Sequence, residues 1–283
     1  MDTVGAAALW TFLAGRGGAV RATNGEVRAD RGHAVADYPE LAARIAELQF
    51  RNRGLLLLFR GQNRDHRNAS GNTTLAPSIF RNGRARRGWP RTLHQRYARL
   101  AAADAALAAR WTGDGLFGRD RVRRHRLVRW AILQHYGVCD TPLLDATHSL
   151  RIACSFAADG AGDEAVLMVL ALPQLAGAVT ASAEAGVQAI RLASACPPHA
   201  VRPHLQEGYL LGEYPPIEDP AQGDGYDPHE VDFGRRLVAK FRFDPAVLWT
   251  PAFPRVPRAA LYPEDDPMQI LADELRAGLP AVG

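Results

Sequence analysis

Apolar positions recur along this chain at two different periods, and the change of period divides it. Leu41, Ile45 and Leu48 are spaced three and four apart between residues 38 and 50, which is the spacing of one helix face. Asp37 precedes them and is suited to cap the helix. Residues 55–59 form a continuous apolar run of strand length ending at Arg60-Gly61, and residues 62–74, rich in Asn, Gly and Ser, read as a loop. The alanine-rich stretch 93–110 and the basic stretch 121–135 predict two further helices, the second stopping at Gly137. Residues 149–158 predict another, with Ile152, Ser155 and Phe156 to one side.

Beyond this point strands take over. Residues 165–172, 187–192 and 208–211 predict three of them. Residues 235–243 predict a fourth, half-exposed, because apolar Leu237, Ala239, Phe241 and Phe243 alternate with basic neighbours. Residues 219–227 read as a loop and 268–277 as a closing amphipathic helix. Helices first and strands later predict an α+β fold, with N-terminal helices packed on a mixed or antiparallel sheet. Residues 1–35 are small, polar and glycine-rich and read as a poorly ordered arm. Residues 36–283 read as a single domain, with no internal repeat.

Composition narrows the setting. The chain has 283 residues, 47% of them hydrophobic, enough for a sizeable core. It has no apolar run of the roughly 18 residues a membrane span needs. Its three cysteines are odd in number and far apart, so neither a disulfide framework nor a zinc site is indicated. The expectation is a cytoplasmic protein with reduced thiols. The net charge is +4, and Lys240 is the sole lysine. Arginine-rich codon usage accounts for this, and so does affinity for phosphates. Arg81, Arg84, Arg86, Arg87 and Arg91 surround Trp89, and a second cluster runs through residues 119–129. Either cluster reads as a nucleic-acid surface or as the solvated face of a helix. No dinucleotide-binding glycine motif, P-loop, HExxH or GxSxG is present, and no metal site is expected.

Several segments together resemble one family. They are Leu57-Leu58-Phe59-Arg60-Gly61-Gln62; Leu75-Ala76-Pro77-Ser78-Ile79-Phe80-Arg81; and Gln134-His135-Tyr136-Gly137 followed by Thr141-Pro142-Leu143-Leu144-Asp145-Ala146-Thr147 and then Ala153, Phe156 and Ala157. To these are added Gln206-Glu207-Gly208-Tyr209 and Leu261-Tyr262-Pro263-Glu264-Asp265. The pattern resembles the FRG family, named for its Phe-Arg-Gly. Two departures stand out: Cys139-Asp140 occupies the place of a single proline, and Ala146 that of a tryptophan.

The resemblance implies a fold and chemistry similar to ADP-ribosyltransferases of the arginine–serine–glutamate type, with NAD as substrate and a protein or nucleic acid as acceptor. A toxin or an anti-phage effector is the implied setting. Carried over residue by residue, Arg60, Gly61 and Gln62 would meet the NAD phosphates, the glycine letting the diphosphate approach the backbone. Thr147 and Ser149 would shape the nicotinamide pocket, with Phe156 packed behind. Glu207 or its neighbour Gln206 would occupy the glutamate position on a strand, where only one of the two can face inward. His135 would serve as base or ribose contact, Tyr136 would stack on a ring, and Asp145 would orient His135 or pair with Arg60. Other roles compete: His135 and Tyr136 can end a helix, Thr147 and Ser149 can cap one, and Arg60 can be a structural cation. If Gln206 is the inward residue, the resemblance implies a non-catalytic nucleotide- or nucleic-acid-binding module.

Overall fold

The computed structural model describes residues 7–81, 89–110, 119–227 and 229–280. They form two compact units, and the chain passes from one to the other five times. The first unit takes the chain up to residue 75, then 146–175 and 232–261; the second takes 76–145, 176–231 and the chain from 262. The sequence over residues 36–283 reads as a single domain with no boundary that would split the core. The buried apolar side chains instead gather in two clusters, one in each unit. No linker marks the division, and one crossing lies inside a strand, β5 (Leu144–Thr147).

The first unit begins with the hairpin β1 (Leu9–Thr11) and β2 (Val20–Ala22), then α1 (Asn24–Ala29), β3 (His33–Ala34), α2 (Tyr38–Arg51) and β4 (Leu55–Gln62). It continues with the end of β5, α6 (Leu150–Ala157), β6 (Ala165–Pro173), β10 (Leu237–Phe243) and α10 (Arg258–Leu261). Its sheet runs β3-β10-β6-β4-β5; β3 and β10 are parallel and the other pairs antiparallel. The segment expected as a loose arm is therefore structured from residue 7 onward. Phe12 and Val27 are buried, and Thr23 and Glu26 form a reciprocal cap on α1.

The second unit holds α3 (Trp89–Arg110), α4 (Arg119–Arg124), α5 (Arg126–His135), the start of β5, β7 (Val179–Ser182), β8 (Val187–Arg191) and α7 (Leu192–Ala195). It continues with α8 (Val201–Leu205), β9 (Gly208–Glu213), α9 (Pro220–Asp224) and α11 (Pro267–Gly278). Its strands pair antiparallel in the order β9-β8-β7. Both units mix helices with sheet, so the α+β expectation holds. Among the described residues no helix is long and apolar enough to cross a membrane.

Several expected elements appear with their boundaries. Asp37 caps α2 by accepting from the Glu40 N–H at 2.8 Å. Others differ for identifiable reasons. The helix expected over 121–135 breaks at His125, where the backbone is extended. Arg129 lies behind this break: its guanidinium donates to the carbonyls of Val122 and Arg123 and grips both oxygens of Asp104 at 2.8 and 2.9 Å. The strand expected to be half-exposed, β10, is buried almost throughout. Its Lys240 is 1% exposed. The ammonium donates to Asp65 at 3.1 Å, to the Thr73 hydroxyl at 2.8 Å and to the carbonyls of Arg28 and Asp30. The loop expected over 219–227 contains α9, capped by Asp219.

One packing contact explains the glycine of Phe-Arg-Gly. Leu57, Phe59 and Gly61 share a face of β4, and α6 packs on that face. A Cβ at Gly61 would stand 1.8 Å from the Ala153 carbonyl oxygen and 2.7 Å from the Ala157 nitrogen. No side chain fits between strand and helix there. Gly61→Ala is therefore expected to destabilise the protein by about 3 kcal/mol, the upper end of the usual overpacking range. Chemical denaturation followed by circular dichroism measures this; an unchanged midpoint would refute the contact.

Candidate functional site

In the second unit, residues from three separate motif segments meet around one side-chain amide. Gln134, near the end of α5, accepts at Oε1 from the Ser78 hydroxyl at 3.2 Å and from the Thr141 hydroxyl at 2.8 Å. Each hydroxyl is itself oriented by a backbone donor. The Thr141 N–H donates to Ser78 Oγ at 3.0 Å, and the Leu143 N–H to Thr141 Oγ1 at 3.2 Å. The Thr141 hydroxyl donates to Gln134, while the Ser78 hydroxyl reaches both Gln134 Oε1 at 3.2 Å and the Thr141 carbonyl at 3.4 Å. The amide then has one sensible orientation, and its Nε2 donates to Asp145 Oδ2 at 2.8 Å.

Asp145, on β5, is the outward end of this chain of bonds, with its side chain 36% exposed. Its other oxygen, Oδ1, lies 3.6 Å from His135 Nδ1, an electrostatic contact rather than a hydrogen bond. The imidazole is buried, and its Nε2 has no hydrogen-bond partner among the described residues. Facing a carboxylate favours a proton on Nδ1. Gly208 makes room for this ring: a Cβ there would lie 3.3 Å from His135 Cε1 and 2.9 Å from Leu192. The site is thus a half-exposed carboxylate, held from beneath by an ordered amide and flanked by a buried imidazole. Such a group can accept hydrogen bonds from ligand hydroxyls, stabilise a developing cation or take up a proton.

The remaining expected site residues divide between the two units. In the second, Tyr136 is 1% exposed and its hydroxyl donates to Asp266 at 2.7 Å. It is the C-cap of α5, with the Arg202 guanidinium 4.9 Å from its ring centre, so the expected stacking on a ligand ring gives way to a place in the core. Gln206 and Glu207, expected on a strand, precede β9 instead. Gln206 ends α8 and is buried, whereas Glu207 is exposed in a left-handed turn at φ 46°. Of the pair, the glutamine turns inward.

In the first unit, Arg60, Gly61, Gln62, Thr147, Ser149 and Phe156 come together on β4, β5 and α6, with Phe59 and Thr147 paired across the strands. Arg60 was expected at a strand end, but β4 continues to Gln62, and Arg60 pairs with Met168 on the face away from α6. The close approach that Gly61 permits is made by α6 rather than left open for a diphosphate. Thr147 Oγ1 accepts from the Ser149 N–H at 3.0 Å, and the Ser149 hydroxyl caps α6 at the Ile152 N–H. Phe156 is half-buried on α6.

The basic clusters resolve in part. Residues 82–88, with Arg84, Arg86 and Arg87, lie outside the described residues. In the second cluster Arg129 is a buried structural cation, Arg126 pairs with Glu218 at 2.9 Å, and Arg123 and Arg124 are exposed. Among the described residues no group of His, Cys, Asp and Glu is placed to hold a metal.

Residues 56–165 match the family model for the FRG domain. The chain carries an FRG domain. No curated protein and no solved structure matches it. The matched span includes Ser78, Gln134, Thr141 and Asp145, so the ordered bonds around Gln134 belong to the FRG domain itself. In the sequence Ser78, Gln134 and Thr141 stand out only as positions of the family motifs. The available signal was that they are polar residues embedded in otherwise apolar stretches, where a buried polar group needs a partner.

Two outcomes test this arrangement. Thr141→Val keeps the shape but removes a hydroxyl that is fully buried, and is expected to cost about 1–3 kcal/mol in chemical denaturation. The second concerns pH. Burial pushes the thiols of Cys139 and Cys196 up to about 12 from 9.0 and raises that of Cys154 as well. Burial also raises the Tyr97 and Tyr136 hydroxyls, the latter helped by its bond to Asp266. The unfolded chain therefore loses these protons first. Stability should be full below about pH 8.5 and fall as pH rises through the unfolded thiol and phenol range. A melting temperature that stays flat or rises between pH 8 and 10.5 would contradict the burial of these groups.

Proposed function

We propose that the FRG domain of this chain binds NAD and transfers or hydrolyses its ADP-ribosyl group, with Asp145 as the carboxylate that meets the developing ribosyl cation. The observation supporting this reading is the fixed, half-exposed Asp145 carboxylate held by Gln134 beside His135. In the proposed reaction the bond from ribose C1′ to the nicotinamide nitrogen breaks, and its electron pair leaves with nicotinamide. Positive charge then develops on the ribose, where a pre-organised anion lowers the barrier. An acceptor oxygen or nitrogen, or water, bonds to C1′, and its proton passes to the carboxylate. Glu207, exposed in its turn, is given no part in this step. The acceptor class is a protein or a nucleic acid, and the setting that of a cytoplasmic toxin or anti-phage effector.

A second reading, a nucleotide- or nucleic-acid-binding module without turnover, is favoured by one observation: Gln206 is buried where the resemblance wants a carboxylate. The experiment separating the two is nicotinamide release from NAD by purified protein, with and without cell lysate. Wild type should release nicotinamide, and Asp145→Asn should lower the rate about 100-fold or more. Glu207→Gln should leave it nearly unchanged. Absence of release under both conditions, with NAD or nucleic acid still bound, would replace the transferase reading with the binding one.

A further inference from the structure

The strands of the second unit end on an open edge. In the order β9-β8-β7, β7 (Val179–Ser182) is outermost, and among the described residues no further strand pairs with it. The Arg191 N–H donates to the Ala178 carbonyl at 2.8 Å, which makes residues 178 and 191 a hydrogen-bonded pair. Antiparallel ladders alternate such pairs with unbonded ones. Thr180 and Ser182 therefore turn their backbone groups toward β8, while Val179 and Ala181 turn theirs away from it. The N–H and C=O groups of these two residues line the open edge. Val179 is 41% exposed, and Ala181 is exposed as well.

Edge strands are ordinarily shielded by charge, by proline or by a bulge. This one carries none of the three. Residues 176–183, Ala-Gly-Ala-Val-Thr-Ala-Ser-Ala, hold no charge and no proline, and the register between β7 and β8 is unbroken. The edge also fits itself. Turned about a two-fold axis through Thr180, β7 meets a second β7 antiparallel. Val179 then stands opposite Ala181 of the second copy, and Ala181 opposite Val179 of the second copy, so every outward backbone group finds a partner. Thr180 faces its own counterpart. Glu184, the nearest charged residue along the chain, falls opposite Ala176 of the second copy, so no like charges oppose each other. Strand addition by a foreign peptide takes its specificity from pockets for alternate side chains. The exposed face of β7 offers two small apolar side chains instead, and what the edge specifies is its own copy.

We propose that β7 is a self-association surface, through which two copies of this chain join their β9-β8-β7 strands into one antiparallel sheet about a two-fold axis at Thr180. The contact is short and buries less than the ~1,200 Å² at which standard interfaces begin, so the dimer is weak and reversible. The proposal makes no use of NAD binding or turnover, and neither does its test, so the two readings fail separately.

The full chain is followed by sedimentation velocity from about 10 to 500 µM, the range a small interface calls for. Wild type should pass from monomer to dimer across it. Ala181→Pro removes an outward N–H without touching the ladder to β8, and edge strands accept proline in that orientation. It should hold the protein monomeric with an unchanged circular dichroism spectrum. The register is tested by cross-linking. Thr180→Cys puts its sulfur on the two-fold axis, in an unbonded pair whose Cα atoms lie about 4.5 Å apart, within reach of a disulfide. Mild oxidation should give a linked dimer on a non-reducing gel. Val179→Cys, whose counterpart lies diagonally about 7–8 Å away, should give roughly tenfold less, and wild type no more than that. A monomer at every concentration, whether or not the edge captures an unrelated extended peptide, would overturn the proposal. A dimer that Ala181→Pro leaves intact, or equal cross-linking at positions 179 and 180, would overturn it as well.

Discussion

A side-chain amide cannot choose its orientation freely when two hydroxyl protons point at its oxygen. Gln134 is in that position, with Ser78 and Thr141 on Oε1 and Asp145 on Nε2. The constraint joins the turn after residue 77, the end of α5 and the strand β5 through side chains rather than ladder bonds. It also fixes a half-exposed carboxylate, Asp145, whose second oxygen faces the buried His135 ring. Buried polar networks of this kind are stabilising only when every member is satisfied. Here the hydroxyls, the amide and the carboxylate are satisfied in sequence.

Close approach is the second theme. Gly61 lets a helix backbone lie against β4, and Gly208 lets an imidazole lie against β9. Neither glycine serves a turn; both remove a side chain where another group must stand. The same reasoning reassigns several polar residues. Thr147 and Ser149 begin α6, Tyr136 ends α5, and Arg129 closes the break between α4 and α5. Asp145 stays half-exposed beside His135, and Gln134 also shares the wall of a cavity lined by Arg96 and Arg99. Cys139 and Asp140, which stand where the family pattern has one proline, line that cavity. A proline there would offer neither the Asp140 carboxylate nor its ion pair with Arg96.

Much of this was legible in the sequence. The helical spacing of Leu41, Ile45 and Leu48 placed α2 and its Asp37 cap, the apolar run 55–59 placed β4, and the motif segments identified the FRG domain. These are local properties: period, propensity and capping act within a few residues. The sequence by itself therefore determined the α+β class, most of the long elements and the membership of Gln134, His135 and Asp145 in one motif. Only the tertiary structure decided what those residues do. It alone divided the core in two, because the units are built from segments far apart in sequence. Lys240 is buried rather than exposed because residues 28–30, 65 and 73 come back to meet it. It turned Gln206 inward and Glu207 outward, because the pair lies in a turn and not on the strand whose alternation the sequence suggested. Periodicity reports which face of an element is covered; it cannot report which distant side chain supplies the hydrogen bond, and at this site that is what assigns the roles.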